Sequence, residues 1–496
     1  MSIANCLLSL ACATTLCAAT CESLAELKLP ATTITAQSVA AGSFTPPEGP
    51  AIPNLPAFCR VTGVIKPSSD SNIQFEVWLP ASGWNGKFRG IGNGGFGGSI
   101  DYRLLGNGAR RGDAAAATDT GHHGGATDAS WALDHPEKIK DFGYRAIHET
   151  AEKGKAITAA FYGGAPKHSY FGSCSNGGRQ ALMEAQRYPG DYDGIVAGAP
   201  ANYWTGLLSL SASNLRSLLD DPGSYIPPAK LPAIQAAALA ACDANDGVKD
   251  GIIENPSQCR FDPSVLLCKG AESDSCLTSL QVDTLRSLYG GLRNGKRELI
   301  FPGYSPGGEG EQGAWSVWIT GPAPEKSLMY MFGTGFFKNM VFDTAWDYHT
   351  FNVDRDLKTA NERAAASLNA TDTDLKKFRA RGGKLFLYHG WSDSGIPAQQ
   401  TVDYYQAVVK KMGAKESEQF LRLYMIPGMQ HCSGGAGPSQ FDLQPAMEQW
   451  VEEGKAPQEV IGHNGKRTHP ICAWPLVAKY KGTGSTDDAA NFECGK

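Results

Sequence analysis

The chain has 496 residues, 42% of them hydrophobic and 19% charged, with a formal net charge of −5. That length exceeds one simple core and implies a catalytic domain with a large insertion, or two domains. The acidic balance argues against nucleic acid as a partner, and beyond the N-terminus no apolar run approaches the ~18 residues of a spanning helix, so no membrane role is expected.

Residues 1–20, MSIANCLLSLACATTLCAAT, are small and apolar without turn residues. They read as a secretory signal with a cleavage zone at Ala18 to Thr20, although no Lys or Arg occurs before Lys28. Removing them leaves ten cysteines, an even set that suits an oxidising compartment and a secreted or periplasmic protein. Short-loop closure favours Cys242–Cys259, Cys268–Cys276 and Cys472–Cys494, leaving Cys21–Cys59 and Cys174–Cys432; sequence alone leaves the connectivity open.

In chain order, FEVWLP (75–80) alternates as a strand, ASGWNG turns, and KFRGIG (87–92) is a second strand leading into the glycine-rich loop NGGFGGSI. A helix is predicted over Asp141 to Tyr162. The strand HSYFG then enters Ser173-Cys174-Ser175, the helix GGRQALMEAQRYP stops at Pro189, and DYDGIVAGAP is the next strand. Strands alternating with helices predict a mostly parallel α/β sheet.

Ser175 lies between that strand and helix in Ser173-Cys174-Ser175-Asn176-Gly177, the setting of a nucleophile elbow. A sharp turn exposes the serine oxygen, small residues relieve the backbone, and the N–H of Asn176 can face an oxyanion. Ser173 stands where a glycine is usual. A second oxyanion donor is expected from Asn93-Gly94-Gly95-Phe96, with Gly95 preferred narrowly over Gly94.

After about Asn202 the alternation stops. Residues 202–371 are rich in Pro and Gly, hold four cysteines and several aromatic residues, and read as an inserted lid between the catalytic segments 21–201 and 372–496. Within it, CDANDGVKDGIIENPSQC offers Asp243, Asp246 and Asp250 with the carbonyls of Val248 and Ile252. That oxygen-rich set suits a structural Ca²⁺, although no Glu stands where an EF-hand needs one.

Sheet character returns in GGKLFLYHGWSD and FLRLYMIPGMQHC, whose strands end near Asp393 and His431. Acid then histidine, each following a later strand, is the order an elbow serine requires. His431 would take the Ser175 proton while Asp393 holds its tautomer. A Cys174–Cys432 bond would hold its Cα atoms about 4.4–6.8 Å apart and so bring Ser175 beside His431. Of the competing histidines, His122 and His123 precede the serine, after a strand, and read as pocket lining or structural. His389 lies too close to Asp393 to reach across. Two other readings stand: a secreted calcium-dependent binding protein on a hydrolase shell, and a nucleophilic Cys174 thiol.

The segments SCSNGGRQ, HGWSDSGIP, MQHC, GNGGF and CDANDGVKDGII together resemble the tannase and feruloyl esterase family, over nearly the whole mature chain. The resemblance implies an α/β-hydrolase core with a calcium-bearing lid, the triad Ser175, Asp393 and His431, the linking bond Cys174–Cys432, and calcium ligands Asp243, Asp246, Val248, Asp250 and Ile252. It also implies a small-molecule substrate, an ester of a hydroxycinnamic acid, of gallate, or the terephthalate monoester of ethylene glycol. The terephthalate branch looks to use a lid arginine, and GPAPEKSLMYMFGTGFFKNMVF has none. Trp315, Trp318, Phe332, Phe336 and Phe337 are expected to wall the acyl site, and a feruloyl-type esterase is the leading expectation.

Overall fold

The computed structural model describes residues 20–496; the expected signal, apart from Thr20, lies outside the described residues. A single mixed sheet organises the chain. Its strands are β1 (Thr32–Val39), β2 (Phe58–Ile65), β3 (Ile73–Pro80), β4 (Lys87–Ile91), β5 (Ala114–Thr118), β6 (His168–Cys174), β7 (Gly194–Gly198), β8 (Lys384–Gly390) and β9 (Leu421–Ile426). They lie in the order β1-β2-β3-β5-β4-β6-β7-β8-β9. From β5 to β9 every neighbour is parallel, as expected. The pairings β1–β2, β2–β3 and β3–β5 are antiparallel, and the sequence reading did not include β1 and β2.

The parallel strands are buried on both faces, so their side chains divide by the two-residue period. Phe171, Ile195, Ala197, Leu385 and Leu387 pack with α2 (Ala146–Tyr162), α3 (Asn176–Arg187) and α4 (Gln399–Met412). Their alternates Tyr170, Val196, Phe386 and Tyr424 pack on the opposite face with Met447 and Trp450 of α5 (Gln444–Glu453). On that same side α1 (Tyr102–Arg111) covers Ala115, Ala117 and Ile91 with Leu105 and Ala109. Ahead of α2, Asp141–Arg145 forms a π turn, so the expected helix begins irregularly.

Residues 202–371 add no strand to this sheet. They form helices, including Trp204–Leu219 and Leu328–Phe336, and a short hairpin, Leu292–Arg293 with Leu299–Phe301. Leu210, Leu215, Leu285, Trp315, Phe336 and Phe337 build a separate apolar cluster, which Phe96, Trp131 and Phe142 join from the sheet side. The C-terminal region forms two hairpins, Glu459–Asn464 with Arg467–Cys472 and Val477–Tyr480 with Phe492–Gly495.

The five cysteine pairs are Cys21–Cys59, Cys174–Cys432, Cys242–Cys259, Cys268–Cys276 and Cys472–Cys494. Cys174 is therefore no free thiol, and the thiol-nucleophile reading falls. Among the described residues no helix is long and apolar enough to cross a membrane.

Candidate active site

Ser175, Asp393 and His431 follow β6, β8 and β9 at the carboxyl edge of the parallel strands, where an open α/β sheet leaves its crevice. Ser175 has φ +67° and ψ −125°, a conformation that costs a side-chain-bearing residue about 1–3 kcal/mol. Backbone bonds hold it: Ser175 N–H donates to Gly198 O at 2.9 Å, and its carbonyl accepts from Arg179 and Ala201. The turn is so tight that a Cβ on Gly177 would fall 1.9 Å from Ser173 Oγ. Serine is thus tolerated at 173 because its hydroxyl occupies the space a side chain at 177 would need.

Ser175 Oγ stands 3.0 Å from His431 Nε2, and His431 Nδ1 stands 2.8 Å from Asp393 Oδ2. Asp393 Oδ1 also accepts from the N–H groups of Gly395 and Ile396 at 2.7 and 2.8 Å. Burial alone would raise this carboxyl, but the charge and hydrogen bond of His431 and the hydrogen bond of His389 hold it below the usual carboxylate range. Being acceptor-only when ionised, Asp393 fixes the proton on Nδ1 and leaves Nε2 free to accept from the serine. The Cys174–Cys432 bond, with Cα atoms 5.9 Å apart, joins the neighbours of Ser175 and His431.

Asn176 opens α3, and Gly94 and Gly95 lie across the cavity from it. Gly95 has φ +56°, and a Cβ there would meet Ala126 O at 2.2 Å, so only glycine fits. Gly94 faces open space. The loop is anchored to α3 by amides: Asn176 Nδ2 donates to Asn93 Oδ1, Gln180 Nε2 donates to the same oxygen, and Asn93 N–H donates to Gln180 Oε1. Arg179 is fully buried and donates from Nε to Asn176 Oδ1 and from its guanidinium to the carbonyls of Gly143 and Phe142. Burial pulls its pKa down to about 9. Sequence reasoning left Arg179 and Gln180 without a role, although both fall inside SCSNGGRQ.

A cavity of about 370 Å³ opens over Ser175 and His431. Trp318 and Phe332 line it, stacked at 6.2 Å, and the Trp318 ring meets His431 edge-on at 4.6 Å. Leu207, Leu208, Met329 and Tyr304 complete a mainly apolar wall that the sequence reading missed, and among the described residues no Lys, Arg, Asp or Glu borders the space. Trp315, Phe336 and Phe337 do not line it. Trp315 packs against Tyr289 and Tyr304, and Phe337 stacks on Trp346, so these rings serve as core of the inserted segment.

His389 is buried behind the acid, with Nε2 3.0 Å from Asp393 Oδ2 and Nδ1 2.7 Å from Thr401 Oγ1. His122 Nε2–H donates to Phe96 O at 2.8 Å and its ring stacks on Trp131, bracing the glycine loop; burial pushes its pKa down to about 4, so it is neutral. His123 is exposed beside Glu48.

The acidic loop lies in the inserted segment behind the Cys242–Cys259 bond. Asp243 is buried and accepts the N–H groups of Asp250 and Gly251; Asp246 and Asp250 accept those of Val248 and Ile252. Burial pushes the Asp246 and Asp250 carboxyls upward, with the charge of Asp243 adding to both and that of Arg467 opposing the rise at Asp250. The nearest cation is Arg467, 3.6 Å from Asp250 Oδ2. The donor set is all oxygen, which fits a hard cation, although among the described residues the cluster of ligand atoms within 4.8 Å of one another is His148, Glu184 and Asp191, not this loop.

Residues 59–495 match the family model described as tannase and feruloyl esterase. An esterase from Xanthomonas campestris pv. campestris is 43% identical over 96% of this chain and 91% of that protein. A probable feruloyl esterase B-1 from Aspergillus terreus is 34% identical, covering 88% of this chain and 86% of its own. The crystal structure of feruloyl esterase B from Aspergillus oryzae is 32% identical and superposes with a TM-score of 0.88 over 96% of this chain and 99% of that one.

Proposed function

The chain belongs to the tannase and feruloyl esterase family of carboxylic ester hydrolases, and we propose that it is an exported serine esterase that cleaves feruloyl-type esters through an acyl-enzyme. Membership among named esterases removes the reading of a non-catalytic binding protein. Ser175 Oγ attacks the ester carbonyl and gives its proton to His431 Nε2. The N–H groups of Asn176 and Gly95 receive the oxyanion, and His431 returns the proton to the departing alcohol. Water then repeats the sequence on the acyl-serine and releases the acid. Residues 202–371 act as the lid that shapes the acyl site.

The observation that carries the substrate reading is the cavity wall: mainly aromatic and aliphatic side chains with a few hydroxyls from Thr127, Ser211 and Ser394, and among the described residues no Lys or Arg. A neutral phenolic ring gains from that burial, whereas the free carboxylate of a terephthalate monoester would be buried without a partner. Methyl ferulate should therefore be hydrolysed with a kcat/KM at least about tenfold above that for mono(2-hydroxyethyl) terephthalate, equivalent to about 1.4 kcal/mol. Methyl gallate should fall between them, since its three hydroxyls need partners that this wall supplies sparsely. Equal or better turnover of the terephthalate monoester would overturn the assignment.

The acidic loop is read as a calcium site formed by Asp243, Asp246 and Asp250 with the carbonyls of Val248 and Ile252. Bound calcium would neutralise the crowded carboxylates and fasten the loop; it takes no part in the reaction. Chelation with EDTA should lower the melting temperature by about 3 °C, restored by added calcium, as expected for an ion held near a hundred times its Kd in a chain of 496 residues. A melting curve indifferent to EDTA would rule this out.

A further inference from the structure

Away from the cavity, Glu184 lies on α3 with no solvent exposure, and neither Oε1 nor Oε2 accepts from an N–H or hydroxyl donor; the neighbouring Asp191 carboxyl is its one polar partner, close enough to share a proton. A ligand oxygen of Glu184 lies within 4.8 Å of ligand atoms of Asp191 and His148. The three come from separate elements: His148 from α2, Glu184 from α3 and Asp191 from the connection into β7. His148 Nδ1 is 2.6 Å from Asp191 Oδ2, and its ring is fixed by stacking on Tyr188 at 3.7 Å. Lys155 Nζ stands 3.5 Å from Asp191 Oδ1 and donates to its backbone carbonyl, while Glu152 lies 3.8 Å from His148 Nε2.

A buried carboxyl without a donor has to take either a proton or a cation. Two carboxylates facing one lysine leave negative charge over, and the third group present is an imidazole. We infer that His148, Glu184 and Asp191 form a binding site for a divalent cation of the zinc type. One nitrogen and two carboxylates match zinc's small mixed coordination, whereas calcium requires six to eight oxygens. The fourth position is left to water, which can enter past His148, whose side chain is 21% exposed. Tetrahedral ligands about 2.0–2.1 Å from zinc stand about 3.3 Å apart, so the ion would open the His148–Asp191 contact and take the place of the Nδ1 proton, leaving a neutral imidazole protonated on Nε2, and would displace any proton on Glu184 to solvent. The effect would be structural: α3, whose first turn follows Ser175, becomes tied to α2 and to the approach to β7.

The full-length secreted form should be titrated with Zn²⁺ by calorimetry in calcium-containing buffer, which keeps the acidic loop from competing, with melting curves alongside. One Zn²⁺ per chain and a raised melting temperature are expected. Affinity should fall at least tenfold in His148→Ala, on the rim of the site, and in Glu184→Gln, which keeps the shape of the side chain. Absence of stoichiometric binding would overturn the inference and leave Glu184 and Asp191 as a carboxyl pair sharing a proton. Binding of unchanged affinity in a folded His148→Ala protein would overturn it equally.

Discussion

Ser175→Ala is expected to lower kcat on methyl ferulate by at least about 10⁴-fold while leaving the fold in place. The expected loss is large because the remaining groups can position and polarise the ester but cannot form the acyl intermediate. The fold should survive because the backbone bonds from Ser175 to Gly198, Arg179 and Ala201 do not involve the hydroxyl. Alanine at φ +67° carries the same strain as serine. The stability cost is then the lost bond to His431, about 0.5–1.5 kcal/mol. Hydrolysis assays paired with melting curves separate the two effects. Normal turnover by this variant would refute the serine mechanism.

Replacing both Cys174 and Cys432 with alanine should cost stability and rate together. The bond spans 258 residues, for which the chain-entropy account gives about 5.6 kcal/mol, just above the range of measured disulfide contributions. The Cys242–Cys259 and Cys268–Cys276 bonds lie inside that loop and shorten it, and residual structure in the unfolded chain lowers the figure further, so about 3 kcal/mol is the expected loss. The kinetic effect has a different origin. His431 follows β9 on an irregular loop, and Cys432 sits at φ +62°, so the bond is the covalent restraint nearest to the imidazole. A shift of about 1 Å there would cost about 10²-fold in rate. A double variant with unchanged melting temperature and unchanged kcat would show that the bond has neither role.

The grouping of Ser175, Asp393 and His431 was legible because its parts are local. Each of Ser175, Asp393 and His431 follows a short apolar run, and strand direction alone puts three such ends on one edge. Loop length suggested three of the disulfides, Cys242–Cys259, Cys268–Cys276 and Cys472–Cys494, but left the connectivity open, and the Cys174–Cys432 bond was implied by the resemblance. Two kinds of information were not legible. Strand β1 alternates between partly and fully exposed residues, because it is an edge whose outer face meets water, so it lacks the apolar signature that exposed β6 to β9. The aromatic wall failed for another reason. Trp315, Trp318, Phe332, Phe336 and Phe337 share one composition, and whether a ring faces a cavity or a core depends on helix rotation within the inserted segment. Trp318 and Phe332 face the cavity; the other three turn inward. His389 was set aside as a base, and its contact with Asp393 was not foreseen, because it requires β8 to end where it does, a tertiary fact.

The acidic loop rests on the end of the polypeptide. Val248 packs with Ala478 and Phe492 of the last hairpin, Arg467 reaches Asp250, and Glu254 accepts the N–H of Ala478. A chain synthesised from its N-terminus exposes residues 243–254 long before residues 467–492 exist. During that interval the carboxylates lack both their guanidinium neighbour and the apolar floor beneath Val248. A chain cut before residue 467 would therefore keep Ser175 and His431 while its acidic loop lacked the contacts that seat it.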